Sequence, residues 1–352
     1  MGEAVARNAR MKLLICTQAV DSTDPVLGFF VRWIEEFAKH VEQIEVICLK
    51  EGKHTLPSNV RVHSLGKEKG FSRGRYLLNF YRYIWRFRNN YDTVFVHMNQ
   101  EYILLGASIW KPSNKKILLW RNHAKGNLLT SVSVWISNTV FYTSPHSFVA
   151  KYKKAHLMPV GIDTNLFKPD SHVQKLSHSI LFLGRIAPVK NADVFIDALN
   201  ELQKKGVEFV ATIAGEALER DKEYDGMVRD SVVRYGLNDK VSFIGAVTQV
   251  QALQLYQEHE LYVNLTPSGS MDKTIFEAMA CGTVVLTSNQ ALRAFLQNDA
   301  LTTEINASVV AEKLSRLMRW PEEMRLQEGV SSREKVKATH DLSTLIDQIV
   351  LA

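Results

Sequence analysis

Short apolar runs and amphipathic stretches alternate along almost the whole chain, and the alternation breaks only once. Lys12–Cys16, Ile44–Leu49, Val60–Leu65, Thr93–Met98, Ile117–Trp120, Thr139–Thr143 and His156–Val160 are short runs rich in apolar and β-branched residues, the pattern of strands. Phe29–Val41 carries Phe30, Ile34, Phe37, Ala38 and Val41 at helical spacing, and Gly74–Arg88 is also helical. The segment Gly161–Ser179, with Gly161, Asp163, Asn165, Pro169 and Asp170, interrupts the rhythm and predicts a linker. The rhythm then resumes, with strands at Ser179–Leu183, Phe209–Ala214, Val241–Ile244, Leu261–Leu265 and Val284–Thr287. Helices are expected at Ala192–Leu202, Tyr224–Tyr235, Val250–Tyr256 and Thr274–Cys281, and they dominate to the end of the sequence. Such alternation calls for parallel sheets covered by helices. The expected architecture is α/β, two Rossmann-like doubly wound domains facing a cleft. Ligands of such sheets bind beyond the carboxyl ends of strands, so the loops after strands are the place to look.

Composition agrees with two ordinary domains. The chain has 352 residues, of which 46% are hydrophobic and 23% charged, which excludes a disordered or collagen-like chain. No run approaches the ~18 apolar residues of a membrane span. Residues 1–10 hold Glu3, Arg7 and Arg10 and no apolar block, unlike a secretory leader. Cys16, Cys48 and Cys281 are odd in number and widely spaced, so neither disulfides nor zinc are indicated and a reducing, cytoplasmic setting is expected. Charge is uneven: residues 1–170 hold 24 Lys and Arg against 13 Asp and Glu, residues 171–352 hold 19 against 24. A basic first half favours anionic partners: acidic lipid, phosphorylated substrate or nucleic acid.

Five stretches carry chemistry, and each has a plainer reading. In Phe182–Asn191 a strand ends at Leu183, Gly184 allows a tight turn, and two cations follow, Arg185 and Lys190. A guanidinium forks onto phosphate oxygens and an ammonium adds a point charge, so the pair suits a diphosphate; solvated loop cations are the alternative. In Pro267–Gly282 a strand runs into a Gly/Ser loop and a short helix containing Glu277. Backbone N–H groups at such a helix start suit an anion, and a carboxylate one turn in suits vicinal hydroxyls; a surface-paired Glu is the alternative. His123 lies just past a strand, in Leu119–Asn127, and His97 competes with it at the end of Thr93–Met98. Gly28 closes a turn after the first strand, where backbone could approach a ligand or simply turn. Lys69–Arg88 interleaves Arg73, Arg75, Arg82, Arg86 and Arg88 with seven aromatic residues and has no acid, a pattern of membrane interfaces and equally of a helix with a solvated basic side.

In order and spacing these blocks resemble the retaining GT-B glycosyltransferases of family 4, from Met11 to about Asn289. The blocks are Gly184-Arg185 to Lys190, Ala214-Gly215-Glu216, Val241-Ser242-Phe243-Ile244-Gly245, and Glu277-Ala278-Met279-Ala280-Cys281-Gly282. Pro159–Pro169 looks like the family's interdomain segment. The resemblance implies an acceptor domain over 1–165, a nucleotide-sugar domain over 175–335, and a C-terminal segment 336–352 whose last helix, about Leu342–Val350, returns to the first domain. It implies that Arg185 and Lys190 bind the donor diphosphate, with His123 beside the donor sugar. It further implies that Glu277 binds the ribose, that the backbone at Gly215 and Phe243–Gly245 holds the base, and that Gly28 lies by acceptor and phosphate. The family carries two glutamates eight positions apart; counting back from Glu277 reaches Gly269 instead. Ser270, Met271, Asp272, Lys273 and Thr274, beside Gly184, Glu216 and Gly269, complete the expected donor set.

The expected reaction is retaining transfer of a sugar from a UDP- or GDP-sugar to a glycan or lipid-linked acceptor. No Asp-x-Asp pair occurs, so no metal and no further cofactor is expected. No nucleophile–base pair is evident either, which leaves the departing phosphate to take the acceptor's proton. An acidic membrane on the cytoplasmic side could bind Lys69–Arg88. Gly269 keeps open a nucleotide-sugar-binding protein without catalysis. A dinucleotide oxidoreductase is disfavoured by the lack of GxGxxG. Nucleic acid is not an expected partner, because the basic half already fits a sugar site.

Overall fold

A computed structural model describes residues 11–352 apart from 270, 294 and 303. It divides into two compact units, one running to Gly161 and resuming at Leu342–Ala352, the other Ile162–Asp341.

In the first unit, strands β1 (Lys12–Val20), β2 (Gln43–Glu51), β3 (Val60–Ser64), β4 (Thr93–His97), β5 (Lys116–Trp120), β6 (Thr139–Tyr142) and β7 (Ala155–Leu157) form a parallel sheet ordered β3-β2-β1-β4-β5-β6-β7. The order reverses direction between β1 and β4, where such sheets leave a crevice. One face is covered by helix α1 (Phe29–His40), whose Phe30, Trp33, Ile34 and Phe37 are buried. The other face is covered by α2 (Arg73–Arg86), α3 (Glu101–Trp110) and α4 (Leu128–Ile136), through Phe80, Ile84, Tyr102, Ile103, Trp110 and Val134. Asn127 caps α4, its side chain accepting from Thr130 N while Thr130 Oγ1 accepts from Asn127 N.

In the second unit, β8 (Leu176–Leu183), β9 (Val210–Ala214), β10 (Val241–Gly245), β11 (His259–Asn264) and β12 (Val284–Thr287) form a parallel sheet ordered β10-β9-β8-β11-β12. Its reversal lies between β8 and β11. Alternate residues Ile180, Phe182, Ile213, Leu261, Val263 and Leu286 bury against α5 (Ala192–Lys204), α6 (Lys222–Arg234) and α9 (Ala307–Met318). Helix α8 (Lys273–Ala280) packs between α7 (Gln249–Glu258) and α10 (Glu322–His340).

The units divide at Gly161, earlier than the expected 165, and the segment Gly161–Ser179 is not all linker, since β8 begins at Leu176. Within 336–352 the last helix begins at Leu342, and residues 336–340 belong to the helix before it. Asp341 is extended, with its carboxylate taking the Thr164 hydroxyl, so α10 ends at His340 in the second unit. Helix α11 (Leu342–Leu351) belongs to the first, burying Leu345, Ile346 and Ile349 in the core of α1. Helices α3 and α4 were missed. Both are apolar on most sides, with little of the amphipathic period that marks α1. Among the described residues no helix is long and apolar enough to cross a membrane.

Candidate active site

In the second unit both sequence blocks leave the sheet at its reversal. The Gly184 loop follows β8 and the Pro267 loop follows β11, so side chains distant in sequence meet at one crevice. The two loops are tied together: Asn191 Nδ2 donates to Leu265 O at 2.7 Å. Gly184 N donates to Ala214 O at 2.9 Å, and Ile186 N to Glu216 O at 3.2 Å. A side chain at Gly215 would place its Cβ 1.9 Å from Gly184 O, so only glycine lets the ends of β8 and β9 approach this closely. Gly215 N also donates to Gly245 O at 2.7 Å, which brings the ends of β9 and β10 alongside.

Arg185 stands exposed between the anchored Gly184 and Ile186, and among the described residues its guanidinium has no hydrogen-bond or ion-pair partner. Lys190 differs. Its ammonium pairs with Asp272, and both side chains are largely buried. Asp272 also accepts from Asn264 Nδ2 at 3.1 Å. Burial would raise the Asp272 carboxyl, but the Lys190 charge and the surrounding donors outweigh it and hold the carboxyl below its usual range. Asp272 is the N-cap residue of α8 yet its side chain does not cap the helix. The carboxylate is spent on Lys190 rather than on the first turn of α8, where Ile275 N donates to the Asp272 carbonyl at 3.2 Å. Thr274 Oγ1 accepts from Tyr262 Oη at 2.7 Å.

Glu277 is buried, which excludes the surface-paired reading. Its Oε2 accepts from Tyr256 Oη at 3.2 Å. Burial pushes its carboxyl up, with Lys273 one turn earlier opposing the rise; the same burial pushes the Lys273 ammonium down. His340, whose ring stands 4.5 Å from that of Phe276, is lowered to about 4 by burial and then by Lys273. Glu216 is exposed at the end of β9, and Phe243 is half-buried with the Arg229 guanidinium 4.2 Å over its ring. Gly269 has a φ of 124°, a left-handed-side conformation that disfavours any side chain, glutamate included. Met271 is half-buried beside it, and Ser270 lies outside the described residues.

In the first unit the candidates separate. His97 is buried, stacked 4.0 Å from Phe30, with Thr17 Oγ1 3.3 Å from its Nδ1; it is a core residue. His123 is exposed after β5, its imidazole held below its usual range by desolvation and then by Arg121. Gly28 has helical angles, and its glycine is needed because a Cβ would lie 2.6 Å from Asp24 O within its own turn. The structure thus gives Gly28 a local reason. Sequence reasoning missed Arg121 and Gln100, whose Nε and Oε1 are buried without a hydrogen-bond partner among the described residues. It also missed Tyr256, Asn264 and Tyr262, which look like strand and helix filler until their polar ends meet Glu277, Asp272 and Thr274. Among the described residues no group of three or more His, Cys, Asp or Glu could hold a metal ion.

A two-unit α/β chain with a polar crevice at the β8/β11 reversal has the architecture of GT-B glycosyltransferases, and known proteins place it there. The family model described as glycosyl transferases group 1 matches residues 177–319, and that described as glycosyl transferase 4-like matches residues 23–119. The chain belongs to the GT-B glycosyltransferases of group 1. A lipopolysaccharide core biosynthesis mannosyltransferase, LpcC of Rhizobium leguminosarum bv. viciae, is 27% identical over 164 residues, 44% of this chain and 46% of that protein. Mannosylfructose-phosphate synthase of Agrobacterium fabrum is 30% identical over 145 residues, 38% of this chain and 32% of that protein. The chain thus spans less than half the length of these curated relatives. In fold it is similar to Anabaena HepE, solved with UDP and glucose, at a TM-score of 0.76 and 18% identity, covering 97% of this chain and 98% of that one. Sucrose-phosphate synthase of Thermosynechococcus elongatus aligns at a TM-score of 0.71 and 16% identity over 96% of this chain and 97% of that one.

Proposed function

We propose that the protein transfers a sugar, with retention and without a metal, from a UDP- or GDP-sugar to a glycan or lipid-linked acceptor. The observation that carries this reading is the meeting of Arg185, Lys190 and the start of α8 at the β8/β11 reversal. Cleavage of a sugar–nucleotide bond builds negative charge on the departing diphosphate. Cations and N–H groups fixed there stabilise that charge more than they stabilise the bound donor. Arg185 supplies a forked, unpaired guanidinium, Lys190 a second cation, and Lys273 and Thr274 begin the helix whose N–H groups face the same anion. Glu277, with Tyr256 holding one oxygen, offers the other to a pair of ribose hydroxyls. The backbone at Gly215, Glu216, Phe243 and Gly245 is assigned to the base, and His123 to the donor sugar. The phosphate released from the sugar takes the acceptor's proton, so retention needs no protein nucleophile. UDP-bound neighbours of the same fold support the donor class.

Titration calorimetry with UDP, GDP, ADP and their common sugar conjugates, with and without EDTA, tests the donor site. Selective binding of one nucleotide, unchanged by the chelator, is expected. No binding to any of them would overturn the assignment. One observation favours a second reading, a nucleotide-sugar-binding protein without catalysis: Gly269 stands in place of a glutamate, and Asp272 neutralises Lys190. Sugar transfer to any acceptor would dismiss it.

A further inference from the structure

We infer that Tyr262 and Asn264 are positioning residues: through one buried hydrogen-bond network beneath the crevice they hold the Gly184 loop and the start of α8 as a single rigid piece. Along β11, Leu261 and Val263 turn to the sheet face that α5, α6 and α9 cover, so alternation turns Tyr262 and Asn264 to the opposite face. Tyr262 is fully buried there, its ring 5.6 Å from that of Tyr256 on α7, and Asn264 is buried at the end of the strand.

The Tyr262 hydroxyl touches both parts of the crevice. It lies 3.3 Å from Leu183 O, the carbonyl just before Gly184, and 2.7 Å from Thr274 Oγ1 in the first turn of α8. Asn264 Nδ2 donates to the same hydroxyl at 3.1 Å and, through its second proton, to Asp272 Oδ2 at 3.1 Å. Asn264 Oδ1 accepts from Thr266 N at 3.1 Å, which fixes how the Pro267 loop leaves the strand. Asp272 carries the chain of contacts on to Lys190.

Packing alone does not call for these groups. Tyr262→Phe would fill the same space with no hydroxyl to satisfy, as Leu261 and Val263 do on the other face. What a fully paired buried network adds is one defined arrangement of the elements it joins. Here those elements are the two that carry Arg185, Lys190 and Thr274. A misplacement of about 1 Å at a reacting centre can cost on the order of a hundredfold in rate. Tyr262 and Asn264 lie in the core and act through Leu183, Thr274 and Asp272, not by touching the donor. The inference rests on the reading of this crevice as the donor site, and it adds the residues that keep its two halves in register.

Amide hydrogen exchange of the full chain, read by mass spectrometry, and calorimetric titration with UDP and GDP test it together. In Tyr262→Phe, exchange should rise about tenfold in both 183–186 and 272–276, while the rest of the second unit and the thermal midpoint stay with the parent. The nucleotide that the parent binds should bind this variant about tenfold more weakly. Thr274→Ser keeps the hydroxyl and should match the parent in both readings. Thr274→Val should reproduce Tyr262→Phe, and the double variant should lose no more than either alone. If Tyr262→Phe unfolds early, Thr274→Val against Thr274→Ser decides. Unchanged exchange in either segment, a rise spread evenly over the second unit, or unchanged affinity for the bound nucleotide would overturn the inference. A parent that binds neither nucleotide would overturn the donor reading instead, and the exchange of the two segments would still decide whether the network joins them.

Discussion

Lys190 in the second unit and the arginines of α2 in the first are held in opposite ways. In the second unit Lys190 is drawn inward and paired with the largely buried Asp272, itself held by Asn264. In the first, the arginines of α2 meet no carboxylate and lie on the protein's own aromatic faces or in solvent. The difference follows from what surrounds each charge. A largely buried ammonium needs a counter-ion that stays in place, because desolvation would otherwise neutralise it. A solvated guanidinium needs none and stays available to whatever anion approaches. Arg185, at the crevice of the second unit, is solvated like those arginines, with no hydrogen-bond or ion-pair partner among the described residues.

If the crevice is built around the donor's charge, losing the unpaired cation there should cost most. Arg185→Ala is expected to lower turnover by about a hundredfold or more with the fold intact, read by donor consumption and thermal unfolding. A near-normal rate would remove Arg185 from the diphosphate. The buried side of the comparison is pH-sensitive. His340 has a folded pKa of about 4 against an ordinary value of 6.5. The unfolded chain therefore takes up this proton first as pH falls. The stabilisation from neutral His340 is complete above pH 6.5 and is lost progressively down to about 4, at most about 3 kcal/mol. Thermal unfolding followed over this range should show that slope, and His340→Gln should flatten it.

Tyr256→Phe removes the hydroxyl that Glu277 accepts from and should cost about 1–3 kcal/mol of stability, read by denaturant unfolding. An unchanged midpoint would mean that the carboxylate finds another donor. Asp272→Asn sharpens the contrast directly. With its internal counter-ion gone, Lys190 should bind a nucleoside diphosphate roughly tenfold more tightly by calorimetry; weaker binding would show that Asp272 orients Lys190 rather than competing for it. The smallest effect belongs to the surface. Arg82→Ala should change stability by less than about 0.5 kcal/mol, since nothing in the fold is built on that charge.

Much of the site was legible as chemistry and little as geometry. Gly184-Arg185, Lys190 and Glu277 stood out because cations and a carboxylate after strands are few and regularly placed. Nothing in the spelling of the chain shows that Lys190 and Asp272, 82 residues apart, form one ion pair. Nor does it show that Tyr256 and Glu277, 21 apart, share a hydrogen bond. His97 and His123 looked alike as histidines beyond strands; packing separated them, with one under Phe30 and the other in solvent. The basic, aromatic composition of α2 was readable too. That Leu78 and Trp85 face outward was not, because an apolar stripe is ordinarily assigned to the core.

The sequence by itself determined the alternation, and through it the parallel sheets, since local patterning at periods of two and 3.6 residues fixes which faces are apolar. It also determined that the charge is uneven and that the crevice of the second unit would be polar. Only the tertiary structure decided where each unit ends. The break at Asp341 gives α10 to one core and α11 to the other, although the two helices are neighbours in sequence. It alone decided which cations are neutralised and which are free. Pairing and burial depend on groups that meet only when the strands take their order, and local pattern carries no record of that order.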